Sequence, residues 1–296
     1  MITSIIKSST YRPLIYALLS TVFFTAMNLI LRCLTDFHAF QLVFFRAVGS
    51  LVLAMACLKY QNIPLLGSRR KILFLRGIIG CLTLTLFFFS LNYLSIGIAV
   101  SLRYTSPVFS TIFAVLLLKE KIYKPQWLCF LVAFLGVFLI KGFDGQMSTI
   151  GLLLVGASSV SGGLIYVLIH KIGKEEHPLV IINYFMMTAT LIGGIASIFV
   201  WKTPDSILEW LLLVSIGIVG FVGQIFMTKA FQEGEANVVV PVKYIEVIFT
   251  LILSIFIFSD VYAIWSIVGT LLVVGSLIIN VLYKSYRKRK EKVLVG

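Results

Sequence analysis

Five ionisable residues stand inside stretches that are otherwise apolar: Arg46, Arg76, Arg103, Lys243 and Glu246. Charge inside a bilayer is costly, so each such residue is a functional candidate by default. Counted from a helix start near Ser95, Arg103 lies roughly 12 Å below one membrane surface at about 1.5 Å per residue. Lys243 lies at the same depth from the other surface, so both approach the midplane of a core about 30 Å thick. Arg46 is about 10 Å deep. Long cationic side chains can lift their heads toward a headgroup region; Arg76, about one turn from its helix end, is read that way, whereas Arg46, Arg103 and Lys243 are near the limit of that reach. Glu246 is too short to escape. It follows Lys243 by three residues and shares its helix face, which leaves two roles open. It either neutralises Lys243, or acts as a proton-exchanging carboxylate or the partner of a substrate ammonium.

Three cations against one carboxylate make the presumed cavity positive, favouring a ligand with carboxylate or phosphate; a zwitterion such as an amino acid also fits through Glu246. Arg103, Lys243 and Glu246 are the first candidates for the site, followed by Arg46, Tyr104 and Tyr244. Asn28, Tyr166, Asn183, Tyr184 and Gln224 stand at similar depth and are further candidates for its lining. Each of these could equally serve helix packing.

The elements that must position these groups are written twice. Ser95 to Glu120 aligns without a gap on Glu235 to Asp260, placing Arg103-Tyr104 on Lys243-Tyr244, Phe109 on Phe249 and Glu120 on Asp260. The same offset pairs Gly77 and Gly80 with Gly217 and Gly220, and an offset of one less pairs Arg32 with Lys171 and His38-Ala39 with His177-Pro178. At Glu246 the mirror position is Ser106, so the copies differ chemically at their most suggestive point. The first copy ends in a basic run, Lys119, Lys121 and Lys124, and the second in Ser259-Asp260-Val261-Tyr262 without a cation. Because cations mark the cytoplasmic face, equivalent ends lie on opposite sides of a membrane, which is an inverted repeat.

Composition agrees with a membrane solvent. Of 296 residues, 59% are hydrophobic and 12% charged, above the roughly 45–50% apolar content of soluble domains. Ten spans of about 20 residues are predicted, roughly 13–31, 39–58, 72–91, 95–117, 126–140, 149–169, 179–200, 208–229, 236–257 and 262–282. The predicted fold is therefore an all-α integral membrane protein with ten transmembrane helices in two inverted five-helix repeats, 12–142 and 147–283, followed by a basic cytoplasmic tail, 284–296. The first apolar stretch follows Lys7 and Arg12 as a signal peptide would, but lacks a small-residue cleavage site and is read as a retained helix. Pro107 and Pro241 are expected to interrupt the fourth and ninth spans, each removing a backbone donor and freeing a carbonyl toward a cavity. Gly77, Gly80, Gly217, Gly220, Gly162-Gly163 and Gly193-Gly194 suit close helix contacts.

With both termini placed in the cytoplasm, inner loops and tails hold 18 of the 25 Lys and Arg residues. Outer loops hold Arg32, Lys141 and Lys202, and the remaining four lie in spans, a strong orientation signal. The net charge of +13 is thus read as lipid-facing, with the KSYRKRKEK run beside anionic headgroups and no nucleic-acid partner. Cys33, Cys57, Cys81 and Cys129 are scattered, which suggests neither a disulfide framework nor a metal site. His38, His170 and His177 fall at helix ends without ligand spacing. A GxxxxGK[ST] phosphate loop is absent, and no catalytic cluster stands out. Neither an enzyme nor a cofactor is expected; a small metabolite and membrane lipid are the expected partners, and a homodimer is open.

The chain resembles the drug/metabolite transporter superfamily, EamA type. FFRAVGS at 44–50, LRGIIG at 75–80, SLNYLSIGIAVSLRYTSPVF at 90–109, LLLKE at 116–120 and their counterparts in the second half carry the resemblance. It implies a ten-helix bundle that moves a small metabolite, amino acid-like, zwitterionic or anionic, across the plasma (inner) membrane by alternating access, proton-coupled or exchanging. An uptake carrier for S-adenosylmethionine or nucleosides is an alternative within the family, and a lipid scramblase one outside it. The second half departs from the pattern, with Phe185 at the position of Arg46 and no arginine in VGFVGQIF.

Overall fold

The computed structural model describes residues 2–118, 123–143, 148–233, 239 and 242–295; side chains at 2–11, 114, 118, 141–143, 166, 170, 174, 284–285 and 287–295 are outside the description. Pro241, Glu120, and the side chains of Tyr166 and His170 therefore lie outside the described residues. Among those described there is no strand. The helices are α1 (Ile2–Arg32), α2 (Ala39–Tyr60), α3 (Arg70–Ser90), α4 (Ile96–Arg103), α5 (Ser106–Leu118), α6 (Lys124–Phe143), α7 (Thr149–Ile172), α8 (Pro178–Ile198), α9 (Ile207–Glu233), α10 (Ile245–Phe258) and α11 (Ile264–Val295). Among the described residues eight helices are long and apolar enough to cross a membrane, and two shorter apolar helices, Lys124–Ile140 and Ile245–Phe258, bring the number to ten.

The fourth span, expected over 95–117 with an interruption at Pro107, opens just before that proline, at Tyr104-Thr105, and divides into α4 and α5. The cause is local chemistry around Pro107, which has no N–H to offer the Arg103 carbonyl four residues back. Ser106 Oγ donates to that carbonyl at 2.7 Å, and Thr105 Oγ1 and Ser159 Oγ of α7 donate to the Leu102 carbonyl at 2.7 and 3.1 Å. Hydroxyls thus satisfy the opened backbone, the condition for irregular backbone at membrane depth. In the second half, helical backbone at Val242 and Lys243 gives way to a turn at Tyr244, the repeat of Tyr104.

Helices of the first half pack chiefly on helices of the second. α1 lies on α9 and α10, α7 on α3 and on α4 with α5, α2 on α8 and α9, α3 on α8, and α6 on α11. Exchanging the halves, α1 with α7, α2 with α8, α3 with α9, α4 and α5 with α10, and α6 with α11, returns the same set of pairs. Small residues permit a close crossing of α2 and α9: a Cβ on Gly217 would meet the Phe45 carbonyl oxygen at 2.8 Å and Gly49 Cα at 2.9 Å. Large apolar side chains such as Leu116, Leu153, Ile198 and Phe256 are exposed on the outside of the bundle, as a lipid solvent requires.

The two ends of the bundle are tied separately. At one, Arg32 pairs with Asp260 at 3.0 Å, and Gln41 donates to the Lys202 carbonyl at 2.7 Å while accepting its N–H at 3.0 Å. At the other, Glu176 accepts from Ser68 Oγ and the Arg69 N–H at 2.8 and 2.6 Å, and Arg69 pairs with Glu175 at 3.2 Å. Loops that the charge count assigns to one membrane face meet one another in space.

Candidate functional site

The break in the fourth pass and the turn at Tyr244 face each other across the bundle, with Tyr104 and Tyr244 in ring contact at 5.3 Å. Two residues past Tyr244, Glu246 is 4% exposed and draws on three helices. Its Oε2 accepts from Lys243 Nζ at 2.9 Å and Tyr104 OH at 2.6 Å, and its Oε1 accepts from Asn28 Nδ2 of α1 at 3.3 Å. Lys243 also donates to Ser20 Oγ at 3.1 Å and stands 4.7 Å from the centre of the Phe24 ring. Removing an ion pair from water costs several kcal/mol per ion unless further hydrogen bonds satisfy it. Asn28, Tyr104 and Ser20 supply them. Glu246 thus pairs with Lys243 and at the same time stands on a cavity wall.

That cavity, about 130 Å³, is lined by Phe24, Met27, Arg46, Arg76, Thr83, Arg103, Tyr104, Gln224, Thr228, Phe231, Lys243 and Glu246, among others. It extends along the last turns of α7 and α9 through Ile165, Ile169, Met227 and Phe231, toward the end tied by Arg69 and Glu176. The opposite end carries the Arg32–Asp260 pair and the hydrogen bond between Ser254 and Tyr262 at 2.7 Å.

Arg46, 2% exposed, reaches across α2 to the second half. It donates to Ser50 Oγ at 2.6 Å and the Gly220 carbonyl at 3.1 Å, with Met27 Sδ at 3.2 Å from Nε. Gly220 is required there because any Cβ would collide with the guanidinium. Gly80, its repeat, makes the same space for Arg76 and Phe185. Arg76 corrects the sequence reading: it does not turn toward the headgroups but is 3% exposed and lines the cavity, its guanidinium 4.8 Å from the Phe185 ring centre. Arg103 lies 4.4 Å from the Phe87 ring centre. Formal charge around the cavity is four cations against one carboxylate.

Of the predicted residues, the structure brings Arg46, Arg103, Tyr104, Gln224, Lys243 and Glu246 to the cavity wall, with Tyr244 and Asn28 directly behind. Two do not join them. Asn183 donates to the Leu65 carbonyl at 3.0 Å, holding the α2–α3 loop, and Tyr184 is buried where α8 meets Gly77 of α3. Arg76 is the residue missed, and the signal for it was present in LRGIIG: an arginine four residues before a glycine that vacates the space beside it.

Fold and cavity together define a polytopic membrane protein with a charged central chamber. The chain belongs to the EamA-like transporter family, whose model matches residues 12–142 and 149–282. It is similar to solute carrier family 35 member G1 of Homo sapiens, 30% identical over 94% of this chain and 80% of that protein. It is also similar to a pseudopaline exporter of Pseudomonas aeruginosa, 28% identical over 93% of this chain and 96% of that one. An S-adenosylmethionine uptake transporter of Rickettsia prowazekii is 27% identical, covering 76% and 77%. A solved crystal structure shares the fold with a TM-score of 0.67 at 17% identity, covering 95% of this chain and 98% of its own.

Proposed function

We propose that this protein is a secondary carrier of the plasma membrane that moves a small anionic or zwitterionic metabolite by alternating access, with both termini in the cytoplasm. The observation carrying this reading is the cavity itself: four cations and one shared carboxylate gathered at the junction of two discontinuous passes, where transporters hold substrate and coupling ion. The cavity's extension toward the Arg69–Glu176 end supports an inward-facing arrangement in this reading, with Arg32–Asp260 closing the outside. A net-positive substrate such as S-adenosylmethionine fits this field poorly, although relatives with that named activity share the fold. The lining is drawn from many helices deep in the bundle, which favours a soluble substrate over a lipid moving along a groove.

Glu246 is the coupling group in this reading. A proton taken up there releases Lys243 and Tyr104, linking protonation to both broken passes. In proteoliposomes carrying a pH gradient, Glu246→Gln is expected to remove the proton-dependent part of flux at least about tenfold, corresponding to a loss of roughly 1.4 kcal/mol of coupling, while exchange without a gradient persists. Flux that still follows the gradient in this variant would exclude Glu246 as the coupling group.

A further inference from the structure

The cations of the cavity are not equivalent. Lys243 is matched by Glu246 at 2.9 Å, and Arg46 donates to Ser50 and the Gly220 carbonyl. Arg76 is different: its Nε and Nη1 are sealed from solvent without a hydrogen-bond partner, although the residue is 3% exposed. Among the described residues Arg103 also has neither a carboxylate within 4.0 Å nor a side-chain hydrogen bond. Both guanidiniums are instead laid against rings, Arg76 on Phe185 and Arg103 on Phe87. An aromatic face holds a guanidinium in plane but does not replace its hydrogen bonds. Two planar forks in one chamber, oriented by rings and otherwise unspent, match two carboxylates or the oxygens of a phosphate.

Resting on the carrier reading above, we infer that the transported metabolite is a small organic anion with at least two negative charges, gripped by Arg76 and Arg103 together, and not a zwitterion. Charge arithmetic points the same way. Arg46, Arg76, Arg103 and Lys243 against Glu246 leave a formal +3; a zwitterion leaves it unchanged, whereas a dianion brings it to +1 and a trianion to zero. The Glu246 carboxylate already accepts from Lys243, Tyr104 and Asn28, so this cluster senses the bound anion while the two arginines hold it.

The test is a binding titration of the purified full-length protein at constant ionic strength with succinate, citrate and glycerol 3-phosphate, against alanine and lysine as zwitterionic and cationic controls. At least one multivalent anion is expected to bind ten times more tightly than alanine, and the phosphate and carboxylate arms distinguish which oxyanion the forks prefer. Arg76→Gln and Arg103→Gln are each expected to weaken that anion at least tenfold, and Arg76→Lys and Arg103→Lys to recover part of the loss through charge without the fork. In the absence of ligand, Arg76→Gln is expected to melt about 2–4 °C higher than the parent, because a buried cation without a partner has been removed. A structural role would lower it. The inference is overturned if alanine binds as well as every multivalent anion, if no multivalent anion binds at 10 mM, or if both glutamine variants bind as the parent does. Alanine flux without anion preference would sink this inference and leave the carrier standing; anion binding without flux would sink the carrier and leave the charge assignment.

Discussion

His38 and His177 occupy corresponding places at the starts of α2 and α8, and each accepts a backbone N–H on Nδ1, from Phe40 at 3.4 Å and Leu179 at 3.3 Å. Only a neutral imidazole can accept there. Burial, and secondarily the nearby Lys229, lower the pKa of His177 below the usual histidine value. A depressed histidine pKa means that the unfolded chain binds the proton first, so the cap contributes fully above about pH 6.5 and is lost as pH falls through the folded-state value. Melting temperature followed from pH 8 to 5 is therefore expected to fall on the acid side, reflecting a stability loss on the order of the 1 kcal/mol typical of an N-cap. His177→Asn, which keeps an acceptor and cannot charge, should flatten that fall; an unchanged profile would remove the histidine from the explanation. At this scale much of the site was legible. A charge in an apolar span announces itself, and the three-residue spacing of Lys243 and Glu246 announces their pairing. Direction was not legible. Chain position gives the depth of Arg76 but not which way its side chain turns, and that is decided by the space at Gly80 and the ring of Phe185. Asn183 and Tyr184 were misplaced for the same reason, since a span apolar on all sides does not declare which face meets the cavity.

Among the helices, the crossing of α2 and α9 is the tightest constraint relevant to the site, because it fixes Arg46 against Gly220. Gly217→Ala puts a methyl group against the Phe45 carbonyl and Gly49 Cα, both backbone atoms that cannot swing aside. The expected cost is about 1–3 kcal/mol, the usual penalty of overpacking, read as a lower melting temperature and weaker binding. Gly156→Ala and Gly275→Ala, which meet nothing within 4 Å, should leave both unchanged. If Gly217→Ala behaved as they do, the close crossing would be wrong. The repeat had singled out Gly217 through Gly77, and eight of the ten predicted spans correspond to helical passes near the expected limits, while the ninth, 236–257, is described as a continuous helix only over Ile245–Phe258. The division of the fourth was only half visible. Pro107 told that a carbonyl would be freed; that the chain opens at Tyr104-Thr105 depends on Ser159 arriving from another helix, which no local pattern contains.

At the scale of the whole molecule, the charge count and the packing lead to one arrangement in the membrane. In a background without the four native cysteines, single cysteines at Asp36 and Asp205 are expected to react with an impermeant maleimide added to intact cells. Cysteines at Asn62 and Glu175 should react only after the membrane is opened; all four side chains are exposed. Labelling of all four from one side would break the proposed sidedness, and with it the assignment of the closed end to the outside. The sequence told the number of passes because that follows from solvent chemistry applied along one chain. Which helices touch follows from shape, and shape is settled between distant segments.

The cross-pairing of the halves has a consequence for how this protein is made. α1, α3 and α6 find their main partners in α9, α7 and α11, so none of the first six helices is fully clasped when it leaves the ribosome. At about 5–20 residues per second, the final 150 or so residues take on the order of 10–30 s to synthesise. Until Gly220 is made, Arg46 lacks its carbonyl, and the early helices wait in the lipid without their main partners. A translational pause or truncation soon after α6 therefore exposes the first half to membrane proteases, and α6 itself stays unclasped until the last helix, α11, arrives.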